Sequence, residues 1–175
     1  LTILQKMTDP RLVVISKKDD GIYDAMNKGA ALATGDYLLF LNSDDWLYDS
    51  EVISKIFENI RQTEYDLIVA KTIIAIKDKV YLQSAYPNSQ HEIRGLNIPH
   101  PSSFILTDLF RSYQYDTNYK FAGDYDLWIR LLKIPSLEIK YVDIISSCFS
   151  LGGISTKGGT EERIAFEVEV SKFLN

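Results

Sequence analysis

The sequence predicts an α/β fold: a mostly parallel sheet with helices on both faces. Three observations carry this reading. Short apolar runs recur at residues 11–16, 37–41 and 66–76. Between them, residues 22–33 and 51–61 place apolar side chains three and four apart, the period of a helix packed on one side. The two patterns alternate, as they must when crossover helices join parallel strands. The chain has 175 residues, 46% of them hydrophobic, enough for one domain spanning 1–175 with a real core.

Composition excludes several classes. The net charge is −5 and no basic run stands out, so a nucleic-acid footprint is absent. The single cysteine, Cys148, forbids an intrachain disulfide and sits in an apolar run, as a buried structural thiol does. No apolar run approaches the ~20 residues that span a bilayer, and no segment resembles a signal peptide.

Taken in order, residues 2–7 read as the tail of a helix, broken by Asp9-Pro10. Leu12, Val13, Val14 and Ile15 form a β-branched run that reads as a buried parallel strand. A polar loop leads to a helix over 22–33, with Ile22, Met26, Ala30 and Ala33 on one stripe and Gly35 beyond its end. Asp24 is a first-turn carboxylate that suits the helix dipole or a ligand. Asn27 is a poor mid-helix residue, and a positional hydrogen bond explains its presence.

A strand at 37–41 follows and ends abruptly in Asn42, Ser43, Asp44 and Asp45. Ligands in open α/β sheets bind just beyond the carboxyl ends of strands. Two adjacent carboxylates there repel unless a cation or a donor compensates them. A hard divalent cation takes one or two carboxylates plus phosphate oxygens, so the segment reads as a metal–diphosphate site. The bland alternative is an Asp capping the next turn or helix.

Asp49 or Ser50 is expected to cap a helix through residue 61, with Val52, Ile53, Ile56, Phe57 and Ile60 buried. Residues 66–76 and 80–86 read as a hairpin turning at Lys77-Asp78-Lys79, and 87–95 as a loop. A Pro-flanked turn delivers His100 just before a strand, where either a backbone hydrogen bond or a ligand would account for it. Helices are expected at 107–113 and 123–132, with Asp124 at the start of the second and Arg130 two turns in. Residues 138–150 read as a bent strand, 152–159 as a glycine-rich connector or lid, and 161–174 as a final helix.

Three segments together carry a resemblance: Asp20-Gly21-Ile22-Tyr23-Asp24-Ala25-Met26-Asn27-Lys28-Gly29, the Asn42-Ser43-Asp44-Asp45 motif, and Phe121-Ala122-Gly123-Asp124-Tyr125-Asp126-Leu127-Trp128-Ile129-Arg130. In this order they resemble a family 2 glycosyltransferase of the GT-A fold. The resemblance implies a GT-A-like (Rossmann-like) sheet. A chain that opens on Leu1 would then lack the first strand–helix–strand, an N-terminal truncation.

Asn42 stands where the family's Asp-x-Asp motif has its first Asp, Met26 where many members carry Arg, and Gly123 where Glu usually precedes the base. The resemblance implies a donor-binding set of Asp24, Asn27, Asn42, Ser43, Asp44, His100 and Arg130, with Asp44 and Asp45 holding Mn²⁺ or Mg²⁺. It makes Asp124 the general base, with Asp126 the runner-up. The implied reaction is inverting transfer of a sugar from a nucleoside-diphosphate donor (UDP- or GDP-type) to a saccharide or lipid-linked hydroxyl, in surface glycan or polysaccharide biosynthesis. The implied location is cytoplasmic, with peripheral association at the inner membrane face. Two other readings stay open: a non-catalytic homologue that binds a partner, and a sugar nucleotidyltransferase.

Overall fold

The computed structural model describes residues 4–61, 63–76, 79–83 and 98–150. A 3₁₀ turn at Leu4–Lys6 opens the described chain. Helix α1 (Ile22–Leu32) leads to strand β1 (Tyr37–Leu39) and the short β2 (Trp46–Leu47). Helix α2 (Val52–Ile60) and the hairpin of β3 (Leu67–Ile76) and β4 (Lys79–Gln83) follow. A 3₁₀ turn at His100–Ser102 feeds β5 (Ser103–Leu106), then α3 (Thr107–Tyr113), α4 (Gly123–Leu131) and β6 (Ile139–Ser150).

The strands form one sheet in the order β1-β5-β3-β6-β2, with β4 also on β3. The α/β architecture with helices on both faces stands, but the pairing is mixed. β3 and β6 are parallel, whereas β1–β5, β3–β5, β3–β4 and β2–β6 are antiparallel. The long β3 explains this. Its first half lies between β5 and β6, and its second half between β4 and β6. The bend expected in β6 is present as register shifts between Val69 and Thr72 of its partner.

Alternation along β3 builds two cores, because successive strand side chains point to opposite faces. Leu67 and Val69 pack with Leu38, Ile105 and the buried residues of α1, α3 and α4. Ile68 and Ala70 pack on the other face with Phe104, Val142 and the α2 stripe Val52, Ile56 and Ile60. Each such side chain contributes about 1.5–3 kcal/mol by leaving water.

Several expectations differ from the structure. In α2, Ile53 is exposed, and Glu51 is the N-cap with no side-chain cap bond, although Asp49 accepts from the Glu51 N–H. Residues 12–16 form no strand; Leu12, Val13, Val14 and Ile15 are exposed. An extended run becomes a strand only beside another, and no described strand lies against this one. The preceding turn is instead closed by Asp9, whose carboxylate accepts from the Arg11 backbone N–H and guanidinium. In α1 the buried side chains are Tyr23 and Ala30, with Met26 packed beside them, while Ile22 is exposed. The stripe therefore holds at Met26, Ala30 and Ala33, with Tyr23 in place of Ile22 at its start. The loop at 87–95, the glycine-rich 152–159 and the final helix at 161–174 lie outside the described residues.

Candidate active site

The apolar run at 37–41 gives up its sheet pairing after Leu39, and the chain turns through residues 42–45. The turn is self-locked. The Asp45 backbone N–H donates to the Asn42 carbonyl at 3.1 Å, and the Asn42 N–H donates back to Asp45 Oδ2 at 3.2 Å. Ser43 and Asp44 occupy the exposed tip, whereas Asn42 and Asp45 are half-buried. Of the two adjacent carboxylates, Asp45 faces inward and Asp44 faces solvent.

His100 lies in the turn that leads into β5, the strand beside β1. Its ring stacks on Phe40 with centroids 5.9 Å apart, and its Nε2 shares a hydrogen bond of 2.9 Å with the Tyr115 hydroxyl. Burial lowers the proton affinity of His100; the charges of Asp124 and then Asp45 oppose that shift. The charges of both carboxylates thus act on the imidazole. This is the observation that joins the acidic turn to the start of α4, residues far apart in sequence.

The turn bearing His100 is anchored by hydroxyls. Ser102 Oγ donates to the Lys71 carbonyl at 3.0 Å and bonds Ser147 Oγ and Ser146 Oγ, each at 2.6 Å, and Thr72 Oγ1 joins Ser102 and Ser147. All four side chains are buried. Buried polar groups persist only when paired, so this network ties the turn firmly to β3 and β6.

Asp124 lies in the first turn of α4, where orphan backbone N–H groups favour a carboxylate. It is half-buried among tyrosines. The Tyr23 hydroxyl donates to the Phe121 carbonyl at 2.7 Å and to Asp124 Oδ1 at 3.3 Å. Burial, then the charge of Asp124, holds the Tyr23 and Tyr115 phenols well above the ordinary range. The same two causes push Tyr125 up to about 12. These phenols stay protonated, and the Tyr23 hydroxyl donates.

The remaining expected residues do other work. Asn27 makes two bonds to the Tyr115 backbone: Nδ2 donates to its carbonyl at 2.9 Å, and Oδ1 accepts from its N–H at 3.0 Å. Asp24 pairs with Lys28 at 2.6 Å and accepts from the Asp20 N–H, and both hold its pKa down. Arg130 pairs with Asp126 at 2.7 Å and donates to the Tyr113 and Gln114 carbonyls, closing the C-terminal end of α3. Asp126 is thereby committed to an ion pair. Asp45, His100 and Asp124 are brought together; Asn27 joins them through Tyr115, while Asp24 and Arg130 brace loops. Tyr23 and Tyr115 were not singled out from sequence. Tyr23 falls inside the 20–29 segment, but its role rests on contacts about a hundred residues away.

Among the described residues no three His, Cys, Asp or Glu side chains converge to cage a metal. A separate cavity of about 670 Å³, lined by Asp36, Tyr37, Glu64, Leu106, Thr107 and Arg111 among others, shares no residue with this site. No helix among the described residues is long and apolar enough to cross a membrane.

Comparison with known proteins gives a family and a fold. The model of the family described as glycosyl transferase family 2 matches residues 1–120. A PGL/p-HBAD biosynthesis glycosyltransferase of Mycobacterium bovis (strain BCG / Pasteur 1173P2) is 31% identical over 147 residues, covering 83% of this chain and 57% of its own. The protein of that name from Mycobacterium tuberculosis (strain ATCC 25177 / H37Ra) matches to the same extent. The chain thus spans little more than half the length of these relatives. Among solved structures, S. aureus TarS 1-349 in complex with UDP-GlcNAc aligns with a TM-score of 0.62 at 16% identity, over 92% of this chain and 49% of that one. TarS 1-349 in complex with UDP aligns at 0.57 and 19%, over 86% and 45%. These likenesses show a shared GT-A fold.

Proposed function

Because the chain belongs to glycosyl transferase family 2, we propose that it transfers a sugar from a nucleoside-diphosphate donor to a hydroxyl acceptor, with inversion. What supports this is a set of contacts around His100: its turn leads into β5 beside the acidic turn that ends β1, and its imidazole bonds Tyr115, which packs on the Tyr23 that donates to Asp124. Asp45 lies on the turn beyond β1 and Asp124 in the first turn of α4, and the charges of both act on the imidazole.

In this reading the donor diphosphate lies against the acidic turn. Asp45 and Asp44 would hold Mn²⁺ or Mg²⁺, which as a Lewis acid stabilises the charge developing on the leaving diphosphate. Asn42 and Ser43 shape the turn, and His100 approaches the phosphates. Asp124 takes the proton of the acceptor hydroxyl as that oxygen attacks the anomeric carbon. Attack from the face opposite the diphosphate inverts the anomeric centre.

A uridine-type donor is the first to test, since the TarS structures are titled as complexes with UDP and UDP-GlcNAc. The acceptor in this reading is a saccharide or lipid-linked hydroxyl, and the mycobacterial relatives are named for PGL/p-HBAD biosynthesis. The decisive assay is release of nucleoside diphosphate from a panel of sugar nucleotides with Mn²⁺ and saccharide acceptors. Asp124→Asn keeps the shape and removes the base, so turnover should fall by ~10²–10⁴-fold. Donor affinity should stay within about twofold, because a base contacts the acceptor and leaves the donor's binding contacts intact. Retained turnover in that variant would reject Asp124 as the base.

A further inference from the structure

We propose that Tyr23 and Asn27, one turn apart on α1, are positioning residues that hold Asp124 and His100 in register across the site. This rests on the reading of those two residues as base and phosphate-side group. Positions i and i+4 of a helix project from the same face. Tyr23 and Asn27 both point from α1 towards the segment 115–124. Tyr23 reaches Asp124 directly, with its hydroxyl proton shared between the Phe121 carbonyl and the carboxylate. Asn27 reaches His100 through one intermediary. Its amide grips Tyr115 at both backbone groups, as a neighbouring strand would, and the Tyr115 hydroxyl bonds the imidazole. The rings of Tyr23 and Tyr115 pack at 5.1 Å, so the two arms support each other.

Gly123 is a second, independent sign of this design. A Cβ there would lie 2.7–2.9 Å from three carbons of the Tyr23 ring. Any side chain at 123 would push α1 away from α4 and pull the hydroxyl off Asp124. The glycine that departs from the family pattern therefore makes room for the tyrosine that holds the base.

The assignment differs from a donor contact by Asn27 in what it moves. With only two histidines in the chain, His91→Gln leaves His100 as the sole source of imidazole ¹⁵N signals. Asn27→Ala and Tyr115→Phe should each shift the His100 Nε2 resonance. Tyr23→Phe should shift the Asp124 carboxyl ¹³C resonance, identified by its loss in Asp124→Asn. In turnover with a sugar nucleotide and Mn²⁺, Tyr23→Phe and Asn27→Ala should each lower kcat about tenfold, the scale of one hydrogen bond to a charged or reacting group. Their KM for donor should stay within about twofold.

His100 resonances unchanged in both Asn27→Ala and Tyr115→Phe would overturn the Asn27 arm. So would a raised donor KM with kcat retained in Asn27→Ala, which would make Asn27 a donor ligand. An unmoved Asp124 carboxyl in Tyr23→Phe overturns the other arm. If the unsubstituted protein turns over no sugar nucleotide, the proposed reaction fails, while the resonances still decide the positioning. Tyr115→Phe removes a single hydroxyl and keeps the first arm testable should Asn27→Ala not fold.

Discussion

Asp44 and Asp45 are neighbours in sequence with different surroundings. Asp45 is half-buried and accepts a backbone N–H; Asp44 is at the exposed tip. If both serve a cation, Asp45→Ala should cost more than Asp44→Ala, because it also unlocks the turn. Isothermal titration of Mn²⁺ with UDP into each variant checks the order, and equal losses would remove the distinction. His100 makes a prediction about pH. Burial holds its folded-state proton affinity below the free value of about 6.5. The unfolded chain then binds a proton that the folded chain does not, and stability is lost as pH falls from that value through the folded pKa. Thermal melts should show Tm dropping below about pH 6.5, and His100→Gln should flatten that part of the curve. An unchanged slope in the variant would assign the loss to other groups.

At the scale of elements, the entry to α1 depends on Gly21. Its backbone sits at φ 126°, ψ 174°, a region that essentially only glycine occupies. Gly21→Ala should therefore cost about 1–3 kcal/mol although the added methyl meets no neighbour. Chemical denaturation measures this directly, and a cost under ~0.5 kcal/mol, the range of a neutral surface change, would show that the loop relaxes. The hydroxyl network under His100 is a second element-scale feature. Ser102→Ala strands its partners on β3 and β6 and should cost about 1–3 kcal/mol, the penalty for buried groups left unpaired. Ile56→Ala on α2, a fully buried residue, should cost about 2–5 kcal/mol without touching the site. That makes it a control for activity losses that come from stability alone.

For the whole molecule, ligand binding should couple to folding. UDP with Mn²⁺ at one hundred times the dissociation constant stabilises by about 2.7 kcal/mol if only the folded state binds. A thermal shift that needs both components supports a cation shared with the diphosphate. A full shift with UDP alone would argue against metal dependence. The sheet also explains why the site lies where it does. β1 and β5 run side by side and antiparallel, so the end of β1 and the start of β5 adjoin. That brings the acidic turn and His100 together, and α4 closes the third side.

Much of this was legible in the chain, because local patterns have local causes. Periodicity placed α1, α2, α3 and α4 within a residue or two, since helices bury a stripe set by 3.6 residues per turn. The abrupt change from apolar run to Asn-Ser-Asp-Asp marked the turn, and the helix-start position marked Asp124. Tertiary structure alone decided the rest. Residues 12–16 have the composition of a strand and are not one, because a strand is made by its neighbour. Asn27 and Arg130 carry the right groups for a ligand, yet each is committed to backbone partners tens of residues away. Tyr23 and Gly123 fit each other across α1 and α4, a steric pairing that no one-dimensional pattern encodes. Pattern reports which faces will be buried, and packing alone decides which polar groups are left to meet a substrate.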